Sequence, residues 1–239
     1  MSTTPTGLIP LILAGGRGTR IAHLHPDLPK PAVPIAGKPF LAWILAQLAK
    51  AEFRQAVVSS GYRSSELCRQ VEPFVPAGME IRWVAEETPL GTGGGSAWAA
   101  TQSEWKPETW LIMNGDSYLA GTWPQKISRM QGAALVAREV SDTGRFGRLE
   151  EQEGKLVRFS EKEGGGPGLI NAGIYRIPSG WLDVLANGSR ASMETDLFPG
   201  WLQEGREVAV LRETGAFLDI GTPESLASAN EFARLHFCG

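Results

Sequence analysis

The sequence contains few of the residues that cross-link small folds or bind transition metals. Its 239 residues include only two cysteines, Cys68 and Cys238, and three histidines. The cysteines form no C-x-x-C pair, and no group of cysteine and histidine has the spacing of zinc ligands. We therefore expect neither a disulfide framework nor a zinc site.

Long apolar runs and an excess of positive charge are also missing. No segment approaches the roughly 20 apolar residues of a membrane span. The run at residues 8–13 is too short for the apolar region of a signal peptide and contains Pro10. There are 23 basic and 26 acidic residues, whereas a dedicated nucleic-acid-binding protein normally carries a basic stripe. These absences favour a cytoplasmic protein that binds neither nucleic acid nor a membrane.

What the sequence does have is a globular composition with abundant, clustered glycine. Hydrophobic residues make up 42% of the chain and charged residues 21%, which excludes disorder over most of its length. Many of the 29 glycines lie in clusters. Because glycine lets the backbone approach a ligand closely, such clusters suggest binding loops. The length fits one domain spanning residues 1–239.

Short apolar runs alternate with helical patterns in the first half. Strands are predicted at 8–13, 56–59, 80–84 and 110–113, and helices at 40–50 and from 94 to 101. This order implies right-handed βαβ units. We expect an α/β, Rossmann-like fold with a mostly parallel mixed sheet and helices on both faces.

The second half favours a small β-rich insertion before a final helix. A polar hairpin is predicted at 148–159 with its turn at Glu153 and Gly154. Thr222 is the expected N-cap of the last helix, with Pro223 at its first position. Further strands are predicted at 132–140, 169–177, 207–211 and 217–220, and a short helix near 181–186.

A long glycine-containing loop, residues 14–37, follows the first strand. It begins L-A-G-G-R-G-T-R at residues 13–20 and continues with P-K-P around Lys30. Backbone N–H groups of such glycines can form an anion-binding nest, and the prolines restrict where the lysine lies. A glycine turn with solvated arginines is the alternative. The pair of motifs favours a phosphate site.

These motifs resemble those of the sugar-phosphate nucleotidyltransferase family, whose signature is L-A-G-G-x-G-T-R-L followed by P-K-P. Ile21 stands where the family usually has leucine. The runs P-L-G-T-G-G at 89–94 and N-G-D-S-Y at 114–118 are most similar to its D-glycero-D-manno-heptose 1-phosphate guanylyltransferases. The resemblance extends to about residue 224. It implies that a nucleoside triphosphate and a sugar 1-phosphate are joined and pyrophosphate is released.

The resemblance also implies roles for particular residues. Arg20 and Lys30 would contact the phosphates during catalysis, and Asp116 would be the third catalytic residue. Further nucleotide-binding residues would be Leu13, Ala14, Gly15, Gly16, Gly18, Thr19, Glu86, Gly91 and Thr92.

Two aspartates that end predicted strands match the family's magnesium ligands. From the residues alone, Asp116 could equally form an Asx turn and Asp219 a turn or cap before the last helix. The resemblance assigns both to one Mg²⁺, which typically takes one or two carboxylates with water and substrate phosphates.

Base recognition is predicted at Glu86. An ionised carboxylate only accepts hydrogen bonds, and guanine offers adjacent N1–H and N2–H donors, so Glu86 favours GTP. Relatives that use thymidine or uridine nucleotides have a glutamine at this place. Glu87 is the alternative if the loop is shifted by one residue, and both glutamates could be solvated.

A sugar-phosphate site is implied for the second half. Singly, these residues suit surface or turn roles equally well, and Glu161 with Lys162 could be an ordinary ion pair. In family order they form a sugar pocket. Its members are Gly147, Glu161, Lys162, Asn171, Gly173 and Glu194.

The predicted function is a magnesium-dependent guanylyltransferase acting on D-glycero-D-manno-heptose 1-phosphate. Residues 1–120 would bind nucleotide and 121–220 the sugar, with a C-terminal helix at 222–236. Mannose 1-phosphate, a uridylyl or thymidylyl transfer, and a non-catalytic regulatory subunit that binds sugar nucleotides remain open. Self-association into a homo-oligomer, frequent in this family, also remains open.

Overall fold

The computed structural model describes most of the chain. The described residues are 7–16, 18–144, 148–160 (for Ser160 the backbone alone), 165–185 and 188–237.

Strands and helices alternate through the described residues. The strands are β1 (Leu8–Ala14), β2 (Pro34–Ile35), β3 (Lys38–Pro39), β4 (Gln55–Ser60), β5 (Glu80–Ala85), β6 (Thr109–Asn114), β7 (Ser117–Leu119), β8 (Ala133–Val140), β9 (Arg148–Gln152), β10 (Lys155–Ser160), β11 (Gly168–Pro178), β12 (Val208–Glu213) and β13 (Phe217–Asp219). The α-helices are α1 (Phe40–Lys50), α2 (Ser64–Val71), α3 (Gly91–Gln102), α4 (Trp123–Ser128), α5 (Phe198–Gln203) and α6 (Pro223–His236).

One nine-stranded mixed sheet forms the centre of the fold. Its strand order is β5-β4-β1-β6-β11-β8-β12-β10-β9. The four strands from β5 to β6 are parallel, as are β8 and β12. The antiparallel pairings all involve β9, β10 or β11. Strands β8 to β12 therefore extend the same sheet, whereas β13 pairs with β7 in a separate two-stranded sheet.

Helices cover both faces of this sheet, as expected from its apolar central strands. Leu11 and Ile12 are adjacent in β1 and both fully buried, yet they belong to different core clusters. Successive side chains of a strand point to opposite faces, so β1 is covered on both sides. Helices α1, α2, α4 and α6 contribute to one cluster, and α3 and α5 to the other.

Several local predictions are confirmed. The polar hairpin turns at Glu153 and Gly154, which both have positive φ, 51° and 74°. The last helix has Thr222 as its N-cap and Pro223 in its first turn.

Other local predictions are wrong or incomplete. The short helix expected near 181–186 is two 3₁₀ turns, Ser179–Trp181 and Asp183–Leu185, and Ala186 lies outside the described residues. Helices α2, α4 and α5 were not predicted. They have only six to eight residues, which is too short to show a clear helical period.

No helix in the described parts of the chain combines the length and the apolar character needed to cross a membrane.

The topology brings several loops together at one edge of the sheet. The glycine loop follows β1, Gly61 follows β4, Glu86 follows β5 and Asp116 follows β6. Because these four strands are parallel and adjacent, their carboxyl ends meet at one edge, where ligands of open α/β sheets bind.

The capping box at the start of α6 gives a test of the fold. Thr222 Oγ1 accepts the Ser225 backbone N–H at 3.3 Å, and Ser225 Oγ accepts that of Thr222 at 3.2 Å. We expect Thr222→Ala to lower the free energy of unfolding in urea by about 1 kcal/mol. Ser228→Ala, on the exposed face of the same helix, should change it by less than about 0.5 kcal/mol. Equal effects of both substitutions would contradict a stabilising cap.

Candidate active site

The glycine loop folds back on Lys30. Gly18 has a φ of +58°, and a Cβ there would lie 2.9 Å from the Lys30 Cβ. Its carbonyl oxygen accepts the N–H groups of Ile21 and Ala22 at 3.0 and 3.1 Å. Glycine is therefore required both for the left-handed backbone and for contact with the lysine stem. Arg17 lies outside the described residues.

Lys30 places its ammonium between two carboxylates. It begins a 3₁₀ turn, with Pro29 before it and Pro31 after it. Its Nζ lies 2.6 Å from Asp116 Oδ2 and 3.7 Å from Asp219 Oδ1. The Lys30 side chain is only 12% exposed. Its charge is thus stabilised by two acidic partners in a largely desolvated place.

Asp116 and Asp219 are brought together by the small sheet of β7 and β13. Asp219 pairs with Ser117 in this sheet, and the Ile220 N–H donates to the Asp116 carbonyl at 3.0 Å. Burial and next the negative charge of Asp116 raise the pKa of Asp219, while Lys30 is among the groups that oppose this rise. Negative charge is therefore concentrated at this point of the site.

The donor set of this pair fits a magnesium ion that shares its coordination with a substrate. The described residues contain no group of three or more side chains that could hold a metal ion without a ligand. Two carboxylates are the protein contribution that Mg²⁺ commonly takes, with phosphate and water oxygens completing the octahedron.

A cavity of about 220 Å³ collects most of the predicted phosphate-binding residues. Gly221 lines this cavity and lies close to Asp219, since a Cβ on Gly221 would be 2.5 Å from Asp219 Oδ1. The lining residues are Leu13, Ala14, Gly16, Gly18, Thr19, Arg20, Lys30, Pro31, Asp116 and Gly221.

The carboxylate of Glu86 is held in place beside this cavity. Ser59 Oγ donates to its Oε1 at 2.7 Å, and the Leu90 N–H to its Oε2 at 3.2 Å. A Cβ on Gly95 would lie 2.6 Å from Oε1, so only glycine at this place in α3 leaves room for the carboxylate. Since each carboxylate oxygen accepts about two hydrogen bonds, both oxygens can still accept one from a ligand.

Glu86 faces a second cavity, of about 180 Å³. Glu87 is exposed and lines the same cavity, but the contacts that fix a carboxylate here are those of Glu86. The lining residues are Gly15, Gly61, Tyr62, Glu86, Glu87 and Pro89. Because Gly15 and Gly16 are consecutive, the two cavities adjoin through the glycine loop.

Gly91 and Thr92, predicted to bind nucleotide, both contact the segment before α5. Gly91 has a φ of +75°, and a Cβ there would lie 2.5 Å from the Ala191 carbonyl oxygen. Thr92 Oγ1 accepts the Met193 N–H at 2.8 Å and donates to Glu194 Oε2 at 3.1 Å. These contacts fasten the N-terminus of α3 to the predicted sugar side.

Asn171 and Glu194 are joined by a buried tyrosine that was not predicted. Asn171 Nδ2 donates to the Tyr175 hydroxyl at 2.6 Å, and that hydroxyl donates to Glu194 Oε1 at 2.8 Å. Burial and next the charge of Glu194 raise the pKa of Tyr175 well above 10. The phenol therefore stays protonated and can act as this donor.

The bulge in β11 shapes the same region. Asn171 Oδ1 accepts the Gly173 N–H at 2.9 Å. Gly173 has a φ of +70°, and a Cβ there would lie 2.3 Å from Asn114 Nδ2. Gly173 thus allows β11 to pass close to the end of β6. The other predicted sugar residues, Gly147, Glu161 and Lys162, lie outside the described residues.

Two residues near the site, Ser59 and Tyr175, escaped sequence-based prediction, and only Ser59 had a signal in the sequence. Ser59 belongs to β4, where the apolar run A-V-V is followed by two serines and a glycine. Polar residues at the carboxyl end of a buried parallel strand indicate a ligand edge. Tyr175 follows Asn171 by four residues, and only the bulge between them brings both side chains together.

Comparisons with known proteins identify the family of this chain. The profile of the family described as Nucleotidyl transferase matches residues 9–235. A mannose-1-phosphate guanylyltransferase of Mycobacterium tuberculosis is 31% identical over 90% of this chain, which spans 61% of that protein. A D-glycero-alpha-D-manno-heptose 1-phosphate guanylyltransferase of Campylobacter jejuni is 30% identical over 90% of this chain and 95% of that protein.

A solved structure is similar to this chain over nearly the whole length of both. The crystal structure of HddC from Yersinia pseudotuberculosis complexed with GMP-PN superposes with a TM-score of 0.81 and 28% identity, over 95% of this chain and 99% of that one. The family profile covers nearly the whole chain, and the glycine loop, Lys30 and the paired aspartates lie together at the sheet edge. The chain therefore belongs to the nucleotidyl transferase family, as its motifs predicted.

Proposed function

We propose that the chain joins GTP to D-glycero-D-manno-heptose 1-phosphate, forming GDP-heptose and pyrophosphate. One observation carries the reaction class: the Lys30 ammonium lies between Asp116 and Asp219 at a cavity lined by glycine-loop backbone. This arrangement places positive charge and backbone donors where a triphosphate would lie.

The transfer needs little covalent chemistry from the protein. An oxygen of the sugar phosphate attacks the α-phosphorus of GTP, and the bond to the leaving pyrophosphate breaks as the new P–O bond forms. The nucleophile is already an anion, so no general base is required. Arg20 and Lys30, which both line the cavity, orient the phosphates and neutralise charge that develops on them. A magnesium ion held by Asp116 and Asp219 would supply further charge neutralisation.

Glu86 supports guanine as the base. Its two oxygens are oriented by Ser59 and Leu90 and would accept the adjacent N1–H and N2–H donors of guanine. Uracil and thymine present carbonyl oxygens on both sides of a single N–H, and adenine presents a ring-nitrogen acceptor, so a carboxylate disfavours them. The names of the relatives from M. tuberculosis and C. jejuni, both guanylyltransferases, support the same base.

The sugar is supported by the name of a relative. The C. jejuni protein, 30% identical over 90% of this chain, is a D-glycero-alpha-D-manno-heptose 1-phosphate guanylyltransferase. Mannose 1-phosphate with GTP is the second candidate, because the M. tuberculosis relative has a similar identity. A regulatory subunit without turnover is disfavoured, because Arg20, Lys30, Asp116 and Asp219 are all present.

The test is pyrophosphate release with magnesium. GTP, ATP, CTP, UTP and dTTP are crossed with the 1-phosphates of heptose, mannose, glucose and N-acetylglucosamine. We expect release with GTP and heptose 1-phosphate.

We further expect Asp116→Asn to abolish pyrophosphate release, because the charge that balances Lys30 is lost. Asp183→Asn, on an exposed 3₁₀ turn, should leave release unchanged. Release with another pair would refute the stated specificity, and an active Asp116→Asn variant would refute the role of that carboxylate.

Base selection is tested by Glu86→Gln. The substitution keeps the shape but presents an NH₂ group where guanine also has donors. We expect the ratio of kcat/KM for GTP to that for UTP to fall about 10- to 100-fold, the worth of a hydrogen bond to a charged group. Glu87→Gln, at the exposed neighbour, is the matched control. An unchanged ratio for Glu86→Gln, or an equal fall for Glu87→Gln, would refute the assignment.

The sugar side is tested by Tyr175→Phe. Loss of the hydroxyl leaves Asn171 and Glu194 without their shared partner. We expect the KM for the sugar 1-phosphate to rise about tenfold, with the KM for GTP unchanged, and the free energy of unfolding to fall by about 1–3 kcal/mol. Tyr118→Phe is the control, since that hydroxyl forms no hydrogen bond with the described part of the chain. A rise in the KM for GTP instead would contradict this placement of Tyr175.

A further inference from the structure

The turn after β4 lies directly against the glycine loop. A Cβ on Gly61 would lie 2.9 Å from the Gly15 carbonyl oxygen, and one on Gly15 would lie 3.5 Å from the Gly61 nitrogen. The two backbones are therefore in contact, and Gly61 cannot carry a side chain there without movement. The residue after Gly61 consequently lies beside the nucleotide cavity.

That residue is Tyr62, which lines the cavity that Glu86 faces. Tyr62 is 41% exposed. A single exposed aromatic residue would mean little by itself. Tyr62 differs because this residue and a fixed carboxylate border the same cavity, next to the site of the phosphates.

The turn that carries Tyr62 is fixed on both sides. The Ser64 N–H donates to the Gly61 carbonyl at 3.1 Å, and the hydroxyls of Ser60 and Ser64 are 2.7 Å apart. The Arg63 guanidinium lies over the Tyr62 ring, 5.4 Å from its centroid. Such cation–π contacts hold a ring without covering all of it.

Arg63 also reaches the middle of the glycine loop. Its Nη1 lies 3.5 Å from Asp27 Oδ1. Asp27 is 92% exposed and Arg63 34%, so this pair adds little to stability. It does connect the turn of Tyr62 to the loop a second time, in addition to the Gly15–Gly61 contact.

We propose that Tyr62 is the base-stacking residue of the nucleotide site, with the base lying against its ring while Glu86 accepts hydrogen bonds from the base edge. The proposal rests on the proposed function, since it assumes that this cavity holds the base of the nucleotide. Tyr62 and Glu86 then have separate roles in recognising the base. Stacking on an aromatic ring favours any base, because every base has a π face, whereas Glu86 distinguishes between bases by their edges.

The experiment measures nucleotide binding without turnover. GTP is titrated calorimetrically into the full chain in the absence of sugar phosphate, with Tyr62→Ala, Tyr62→Phe and, as the control, Phe74→Ala. Phe74 is another exposed aromatic residue, 38% exposed, in a 3₁₀ turn at the end of α2. Both side chains are partly exposed, and thermal unfolding checks that each of the three variants is folded.

We expect Tyr62→Ala to weaken GTP binding about tenfold and Tyr62→Phe, which keeps the ring, to weaken it less than about twofold. Phe74→Ala should bind like the unmodified chain. Unchanged binding by Tyr62→Ala would overturn the proposal. An equal loss with Tyr62→Phe would also overturn it, because the hydroxyl and not the ring would then be responsible.

A probe without a base separates stacking from other effects. Inorganic triphosphate should bind Tyr62→Ala and the unmodified chain equally, and a loss with this probe would refute stacking. The same titrations with UTP and ATP separate the two proposals. If the chain prefers UTP, the guanine assignment fails, but Tyr62→Ala must still weaken UTP binding for stacking to stand. If the unmodified chain binds no nucleotide, both proposals fail.

Discussion

The ammonium of Lys30 lies 2.6 Å from Asp116 and 3.7 Å from Asp219, and this contact joins three parts of the chain that are distant in sequence. Lys30 belongs to the glycine loop, Asp116 to the turn after β6 and Asp219 to the end of β13. A charge that is 12% exposed is costly without partners. The carboxylate of Asp219 likewise needs a cation, since burial and next the charge of Asp116 raise its pKa. The geometry of the cavity lined by Lys30 and Asp116 therefore depends on positive charge at this one point.

Backbone contacts that only glycine allows set the rest of the site around this point. Gly61 meets Gly15, Gly95 leaves room for Glu86, and Gly173 passes close to Asn114. Each contact joins the end of one central strand to a neighbouring loop, helix or strand. The sheet fixes the positions of the strands, and these contacts fix the neighbouring loops relative to the strands. Substitution of such a glycine would displace a functional group without touching a ligand.

The sequence was sufficient to predict the parallel half of the sheet and to single out most residues of the cavity lined by the glycine loop, Lys30 and Asp116. Buried parallel strands are continuous apolar runs, and the glycine loop with Lys30 has a distinctive motif, so both are local signals. Tyr62 and Tyr175 were missed because their importance arises from contacts between distant segments. Tyr175 meets Asn171 only through a bulge in β11, and Tyr62 borders the cavity only because β4 and β1 are adjacent. Neither contact has a pattern in the sequence.

On the proposed function, the two halves of the site differ in how strictly they can select. Glu86 accepts two hydrogen bonds from the protein and has both oxygens available for a base edge. Glu194 already accepts from Tyr175, Thr92 and Ser192, so only about one of its acceptor positions remains for a sugar hydroxyl. One hydrogen bond to a ring hydroxyl cannot separate manno-heptose from mannose, which share the ring configuration and differ in the exocyclic arm. The base is thus selected by a rigid, local contact, whereas selection of the sugar requires groups that reach beyond the ring.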